Sequence, residues 1–275
     1  MGGESSEREV SLVSGKEVMK NLNREKYEVW GIDVPGELSK LDEIKPDIAF
    51  IALHGKGGED GIIQKYLENR GIKYTGCEVK ASELGMNKKN FLEMMRDNGI
   101  KIPQQTKSIP CVVKPNSGGS SIGVSIVREK YELKNAVNKA KKYDREILIE
   151  EYIEGREITG GILGNDVLPI VEIIPKGDFF DYESKYNESG AEEICPAGLS
   201  EEMTKKVQEI VLKVFKIIGG KGFARVDMII RKDIPYVLEI NTIPGLTPNS
   251  LLPKEARAAG ISYPAMLDRI IELAL

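Results

Sequence analysis

The sequence predicts an α/β domain followed by α+β material, and three observations carry that expectation. An apolar run, Asp47–Leu53, ends in the glycine-rich loop His54–Gly61 and is followed by a helical segment, the order of a βαβ unit. Beyond a link containing Pro103 and Pro110, strand-like segments follow one another with fewer helices between them. Near the C-terminus, Phe223–Arg231 and Pro235–Asn241 both alternate in polarity around a short connection and read as a hairpin. A chain of 275 residues is also long enough for roughly two domains.

In order along the chain, Gly15–Lys26 reads as a polar helix, Tyr27–Val34 as an alternating strand and Asp47–Leu53 as a buried one. Ile62–Asn69 reads as a helix with Gly71 as its stop signal, and the loop after Leu53 sits where open α/β sheets hold ligands. Asn87–Asp97 is an amphipathic helix that ends near Gly99. Strands are expected over Cys111–Lys114, Ile122–Arg128, Glu146–Ile153, Glu157–Leu163 and Val167–Ile174, with a helix over Tyr131–Tyr143. A polar loop, Pro175–Ile194, precedes a long helix from Glu201 to Ile218, and Tyr263–Leu273 forms the last helix.

Composition removes several function classes. Lys plus Arg number 39 against 43 Asp plus Glu, a net charge of −4, which argues against sequence-independent nucleic-acid binding. No apolar run approaches the roughly 20 residues of a membrane span, and the first residues lack the apolar stretch of a secretory signal. Gly2 and Ser6 match a loose myristoylation pattern that fixes few positions. Cys77, Cys111 and Cys195 are widely spaced, as expected for reduced thiols of a cytoplasmic protein. With His54 the single histidine, a zinc site of the usual spacing is not expected.

The hairpin carries the sharpest chemical signal. Centred on Asp233, it sets Asp227 opposite Glu239 and Arg225 opposite Asn241 on one face, with Val226 and Met228 opposite Ile240 and Leu238 on the apolar face. Two carboxylates across a ladder repel, so a cation is expected between them. The oxygen donors of Asp227, Glu239 and Asn241 suit Mg²⁺, although an exposed, merely solvated face would carry the same charges. Lys114-Pro115-Asn116-Ser117-Gly118-Gly119-Ser120-Ser121 ends a strand in a Gly/Ser turn that can cover phosphates, but it is no Walker loop. Glu150-Glu151-Tyr152-Ile153-Glu154-Gly155-Arg156-Glu157 puts acids at a strand end, equally well read as a solvated edge. His54 at a strand end is more often structural than catalytic, and Phe179–Tyr186 mixes aromatic and charged residues as a lid does.

Together these segments resemble the D-alanine–D-alanine ligases, a branch of the ATP-grasp superfamily. The matching stretches are SSEREVS (Ser5–Ser11), HGKGGEDGIIQ (His54–Gln64), VKPNSGGSSIGV (Val113–Val124), EEYIEGREIT (Glu150–Thr159), FFDYESKY (Phe179–Tyr186), ICPAGL (Ile194–Leu199), FARVDMII (Phe223–Ile230) and LEINTIPGLTPNSLLP (Leu238–Pro253). The resemblance implies a Rossmann-like N-terminal domain (residues 1–78), a central ATP-grasp lid (79–154) and a C-terminal ATP-grasp lobe (155–275), with ATP clasped between the last two. It implies that ATP phosphorylates one D-alanine carboxylate, that a second D-alanine's amine attacks the acyl phosphate, and that the dipeptide feeds peptidoglycan synthesis.

By the same resemblance, Asp227, Glu239 and Asn241 hold two Mg²⁺ ions, for which Mn²⁺ can substitute, and Lys88, Lys114 and Lys185 contact phosphates. Glu150, Tyr152, Ile153 and Glu157 hold the adenosine. Glu7 pairs with the first D-alanine's ammonium, closed over by Ser120 and Tyr186, while Arg225 and the Gly245 amide face the developing oxyanion. Ser250 and the Leu251 amide bind the second carboxylate, with His54 alongside. Tyr186 argues against D-lactate as second substrate, and a cytoplasmic homodimer is implied.

The chain departs from the family in three places. Met1 directly precedes Gly2 where the family has an apolar strand, Gly118 stands where a glutamate is frequent, and the Gly99–Cys111 link is short. Either translation starts upstream of Met1, or the N-terminal sheet lacks a strand and Glu7 is poorly anchored. Another ATP-grasp carboxylate–amine ligase, or a nucleotide-binding homologue with impaired catalysis, are the alternatives.

Overall fold

The computed structural model describes residues 1–175 and 191–275. Helices and sheets mix throughout, as the α/β and α+β expectation requires. The first helix, α1, spans Arg8–Asn21, seven residues ahead of the start expected at Gly15. Its buried face is Ser11, Ser14, Gly15 and Val18, a helical stripe of small and mostly polar residues that carries no apolar signal.

The N-terminal sheet is smaller than expected. Strand β1 (Ile48–Ala49) pairs in parallel with β2 (Lys73–Tyr74), and Gly2 makes one parallel bridge to Val34. Tyr27–Val34 otherwise builds no ladder. Its apolar side chains, with those of 48–53, line a cavity of about 810 Å³ that includes Val18, Trp30, Ile32, Phe50 and Ile271. The alternating pattern there therefore accompanies residues that line a cavity, not a paired strand. Helices α2 (Lys40–Ile44) and α3 (Ile62–Glu68) cover this sheet.

Helices α4 (Val79–Met86) and α5 (Lys88–Asp97) lead to the central three-stranded sheet. That sheet orders β4 (Ser125–Val127), β3 (Cys111–Pro115) and β5 (Ile147–Glu151), all antiparallel, under α6 (Leu133–Ala140). Cys111, Val113, Val127, Ala136 and Ala140 form its core. Cys111 is therefore a buried packing residue, as a reduced thiol would be.

The C-terminal sheet contains β6 (Arg156–Leu163), β7 (Asp166–Val167), β8 (Val171–Pro175), β9 (Ala191–Ile194), β10 (Phe223–Arg231) and β11 (Ile234–Asn241). Its order is β11-β10-β6-β8-β9, with β7 on β6. Helix α7 (Glu201–Ile217) buries Val207, Val211 and Val214 against Ile158, Ile162, Val226 and Met228. Helices α8 (Leu251–Ala258) and α9 (Tyr263–Glu272) pack Leu252, Met266 and Ile270 with Val18 of α1 and Leu22 just after it, which joins the first lobe to the last.

The hairpin register holds as far as Asp227, where Arg225 faces Asn241, Val226 faces Ile240 and Asp227 faces Glu239. A bulge then shifts the ladder so that Met228 meets Val237 in place of the expected Leu238. Leu238 is the extra residue, and it lines a cleft beside Ile229 and Glu239. The turn shrinks to Lys232-Asp233, both left-handed with φ of 51° and 61°. Such turns favour Asn-Gly, since non-glycine residues are strained there. Lys232→Asn with Asp233→Gly should therefore add about 1 kcal/mol, a rise of roughly 2–4 °C in melting temperature. A thermal melt that fails to rise would contradict the turn assignment.

Candidate active site

Two clefts meet between the lobes. One, of about 720 Å³, is lined by Glu7, His54, Arg225, Asn241, Gly245 and Ser250. The other, of about 500 Å³, is lined by Lys114, Glu150, Tyr152, Ile153, Glu157 and Asp227. Lys88, Gly118, Gly119 and Glu239 line both, so these four residues mark the junction. The larger N-terminal cavity shares no lining residue with either cleft and is mainly apolar.

Glu7 is buried, contrary to the poor anchoring expected of a reduced sheet. The Ser5 hydroxyl accepts from its amide at 3.1 Å, and the Ser120 hydroxyl donates to its carboxylate. Ser5 Oγ also donates to the His54 carbonyl at 2.7 Å. Ser120 and its neighbour Ser121 are both left-handed, at φ of 52° and 57°, a conformation sustained by contacts around the loop. The Gly/Ser turn thereby reaches from the central sheet to the start of α1.

His54 is a junction between lobes. Its Nδ1 lies 2.9 Å from the Ile243 carbonyl, which can only accept, so Nδ1 carries a proton. Nε2 meets the Ser14 hydroxyl at 2.9 Å, and the ring is 4 % exposed. Both ring nitrogens are engaged in holding α1 to the loop after β11, while one edge of the residue lines the larger of the two clefts.

On the C-terminal sheet, alternation brings Arg225 and Asp227 of β10 to one face with Glu239 and Asn241 of β11. Each carboxylate holds a protein cation. Arg225 donates from Nε and Nη2 to the two oxygens of Asp227, both at 2.9 Å, and Lys88 Nζ sits 3.1 Å from Glu239. Burial works against the Arg225 charge, yet the Asp227 carboxylate outweighs it and holds the guanidinium pKa above its ordinary range. Lys88 also donates to the Gly118 carbonyl at 2.5 Å. Asn241 Oδ1 accepts from the Ile243 amide at 3.0 Å, keeping a second lone pair.

No group of three His, Cys, Asp or Glu side chains gathers among the described residues. Two carboxylates and an amide oxygen nonetheless fit a hard cation that takes the rest of its shell from water and phosphate oxygens, the usual habit of Mg²⁺. In the other cleft, Lys114 Nζ is 2.8 Å from Glu150 Oε2, and both groups are buried. Val112 faces Glu150 and Lys114 faces Leu148, so the pair is a diagonal one on one sheet face.

Ser250 precedes α8, and its hydroxyl turns back to Thr247, 2.8 Å from Thr247 Oγ1. It makes no side-chain cap, which leaves the first amides of α8 without a side-chain acceptor, and Ser250 and Leu251 line the cleft at the positive end of the helix. The Gly245 backbone lines the same wall. Lys185 and Tyr186 lie outside the described residues.

Two groups at this site escape a reading of the sequence. Thr159 Oγ1 stands 2.5 Å from Asp227 Oδ1, from the opposed position on β6. Glu255, in a charged stretch of α8, is fully buried and its Oε1 accepts from the Gly161 amide at 3.0 Å. Burial pushes the Glu255 carboxyl well above the usual carboxylate range, against the pull of Arg225. A signal for both exists in Thr159-Gly160-Gly161, because paired glycines inside a strand mark close approach by another group.

A cleft between an N-terminal α/β lobe and two antiparallel lobes, lined by buried lysines and carboxylates, has the chemistry to hold an anionic ligand together with a hard cation. Known proteins narrow this further. Residues 36–77 match the family described as D-ala D-ala ligase N-terminus, and residues 81–272 match D-ala D-ala ligase C-terminus. The chain is 45% identical to a D-alanine–D-alanine ligase of Syntrophobacter fumaroxidans, covering 100% of this chain and 96% of the relative. It is 42% identical to D-alanine–D-alanine ligase B of Clostridium perfringens, over 100% and 96%. The crystal structure of the Bacillus anthracis D-alanine–D-alanine ligase complexed with ATP superposes with a TM-score of 0.88 at 38% identity, covering 100% of this chain and 95% of that one. The VanG D-Ala:D-Ser ligase of Enterococcus faecalis superposes at 0.86 with 30% identity, over 100% and 98%. This chain belongs to the D-alanine–D-alanine ligase family.

Proposed function

We propose that this protein joins two D-alanine molecules at the expense of ATP, supplying the dipeptide for peptidoglycan. The observation that carries the reading is the junction of the two clefts at Lys88, Gly118, Gly119 and Glu239. A nucleotide in the smaller cleft then directs its phosphates toward an amino acid in the larger one. Glu150, Tyr152, Ile153 and Glu157 hold the adenosine, and Lys114 and Lys88, with Lys185, take the phosphates.

Glu7 receives the ammonium of the first D-alanine, with Ser120 and Tyr186 closing over it. The carboxylate oxygen of that D-alanine attacks the terminal phosphorus of ATP, ADP leaves, and the D-alanyl acyl phosphate results. The amine of the second D-alanine, whose carboxylate rests on Ser250 and the Leu251 amide beside His54, attacks the acyl carbon. Arg225 and the Gly245 amide face the oxygen on which negative charge develops, and preorganised donors there lower the barrier. Phosphate leaves as the peptide bond forms.

Asp227, Glu239 and Asn241 would hold two Mg²⁺ ions, or Mn²⁺ in their place, which neutralise charge on the transferred phosphoryl group. Arg225 and Lys88 occupy two of those carboxylates in this structure. Were those carboxylates to hold the ions, Arg225 and Lys88 would give up their present partners and Lys88 would be available to phosphate. The enzyme works in the cytoplasm as a homodimer, where ATP and D-alanine are its small-molecule substrates and neither nucleic acid nor membrane is a partner. No helix among the described residues is long and apolar enough to cross a membrane.

The direct test is phosphate release from ATP and Mg²⁺ on addition of D-alanine. Release with D-alanine and none with L-alanine is expected, with D-alanyl-D-alanine as the product. Release only when D-serine or D-lactate accompanies D-alanine would reassign the second substrate. ATP binding without any turnover would reject the activity. Ligand protection gives a second check. At about a hundred times its Kd, nucleotide with Mg²⁺ should stabilise the fold by about 2.7 kcal/mol, raising the melting temperature by roughly 5–10 °C.

A further inference from the structure

The Glu255 carboxyl is the least explained group near the two clefts. It is fully buried, and its Oε2 has no hydrogen-bond partner among the described residues. A buried carboxyl with an idle oxygen destabilises a fold, so packing alone gives no reason for it. Its surroundings do.

Gly161 lies directly opposite Arg225 in the β6–β10 ladder, so the space above Gly161 is on the face where Arg225 and Asp227 stand. A Cβ at Gly161 would overlap Glu255 Oε2. The glycine thus opens a gap in the sheet face, and α8 fills it with a carboxyl beside the root of Arg225. Gly161 also fixes that carboxyl by donating its amide to Oε1 at 3.0 Å, which leaves Oε2 as the uncommitted atom.

Arg225 is only 9 % exposed and spends two of its donors on Asp227. If Asp227 ligates a divalent ion, those donors lose their acceptors in a place water reaches poorly. We infer that Glu255 is a positioning residue, the second acceptor that takes the Arg225 guanidinium when Asp227 turns to the metal. It makes the exchange of partners inexpensive and keeps Arg225 aligned toward the reacting oxygen. The inference rests on Asp227 being a metal ligand.

Glu255→Gln separates this role from packing. Glutamine keeps the volume and the acceptor for Gly161, but sets an NH₂ where Oε2 stands. The readout is calorimetric titration with a nonhydrolysable ATP analogue, with and without Mg²⁺. Expected is a weakening of the Mg²⁺-nucleotide complex by about tenfold, with metal-free nucleotide affinity and melting temperature unchanged. Glu255→Ala gives the same weakening by removing the acceptor outright, and it serves if the glutamine variant does not fold. Mg²⁺-nucleotide affinity within twofold of the parent in the folded variant overturns the inference, as does an equal loss with and without Mg²⁺. Asp227→Asn is titrated alongside. Parent-like Mg²⁺ binding in that variant removes the metal ligand itself, whereas weak binding there with parent-like Glu255 variants removes only the role given to Glu255.

Discussion

Asp227→Asn should reduce D-alanine-dependent phosphate release by a factor of a thousand or so at moderate Mg²⁺. Even outer-sphere groups change metal affinity by about 10–100-fold, and a charged ligand counts for more. The substitution is close to isosteric. It keeps an oxygen for Arg225 Nε and the Thr159 hydroxyl, which stand 2.9 and 2.5 Å from Oδ1. The other position becomes an NH₂ facing Arg225 Nη2, so one charge-assisted bond turns into a contact between donors. That exchange costs about 2 kcal/mol, and the variant should melt some 4–8 °C below the parent while remaining folded. Raising Mg²⁺ should restore part of the activity if Asp227 is a ligand. Parent-like turnover and Mg²⁺ dependence would show that the bidentate pair with Arg225 is the whole of its role.

That face of the hairpin is legible from alternation alone as far as Asp227, because period two fixes which side chains share a side. The bulge is not. An extra residue in β11 leaves the local polarity pattern intact, so Leu238 reads as apolar core although it lines the smaller of the two clefts. Helix α1 fails the same kind of reading for another reason. Its buried stripe of Ser11, Ser14 and Gly15 serves close approach, and hydrophobic periodicity does not register small polar residues. Tyr27–Val34 shows the converse, an alternating run with no ladder to join beyond the single bridge at Val34.

Glu255 marks the limit of one-dimensional reading. In the run Lys254-Glu255-Ala256-Arg257 it reads as part of a solvated face, and only the tertiary approach of α8 to Gly161 buries it. The cations paired with the carboxylates were foreseeable in kind but not in identity. Repulsion between Asp227 and Glu239 requires positive charge. That it comes from Arg225 on the same strand and from Lys88 at the start of α5 depends on packing.

Glu7→Gln carries the second large effect, and it bears on a different substrate. Glu7 is 6 % exposed, at the mouth of α1, with the Ser120 hydroxyl on its carboxylate. A glutamine retains the shape and an acceptor for Ser120, so the loop should still dock. What disappears is the negative charge that a D-alanine ammonium would meet away from bulk water. Losing one member of a buried, hydrogen-bonded charge pair costs about 2–5 kcal/mol, mainly through the partner left uncompensated. The KM for the first D-alanine should therefore rise by roughly a hundredfold or more, with a smaller change at the second site and in nucleotide affinity. Initial rates over a wide range of D-alanine separate the two sites, because only the tighter phase should move. A rise confined to the weaker phase would assign Glu7 to the second substrate, and unchanged constants in both would leave Glu7 as an anchor for the Ser120 loop.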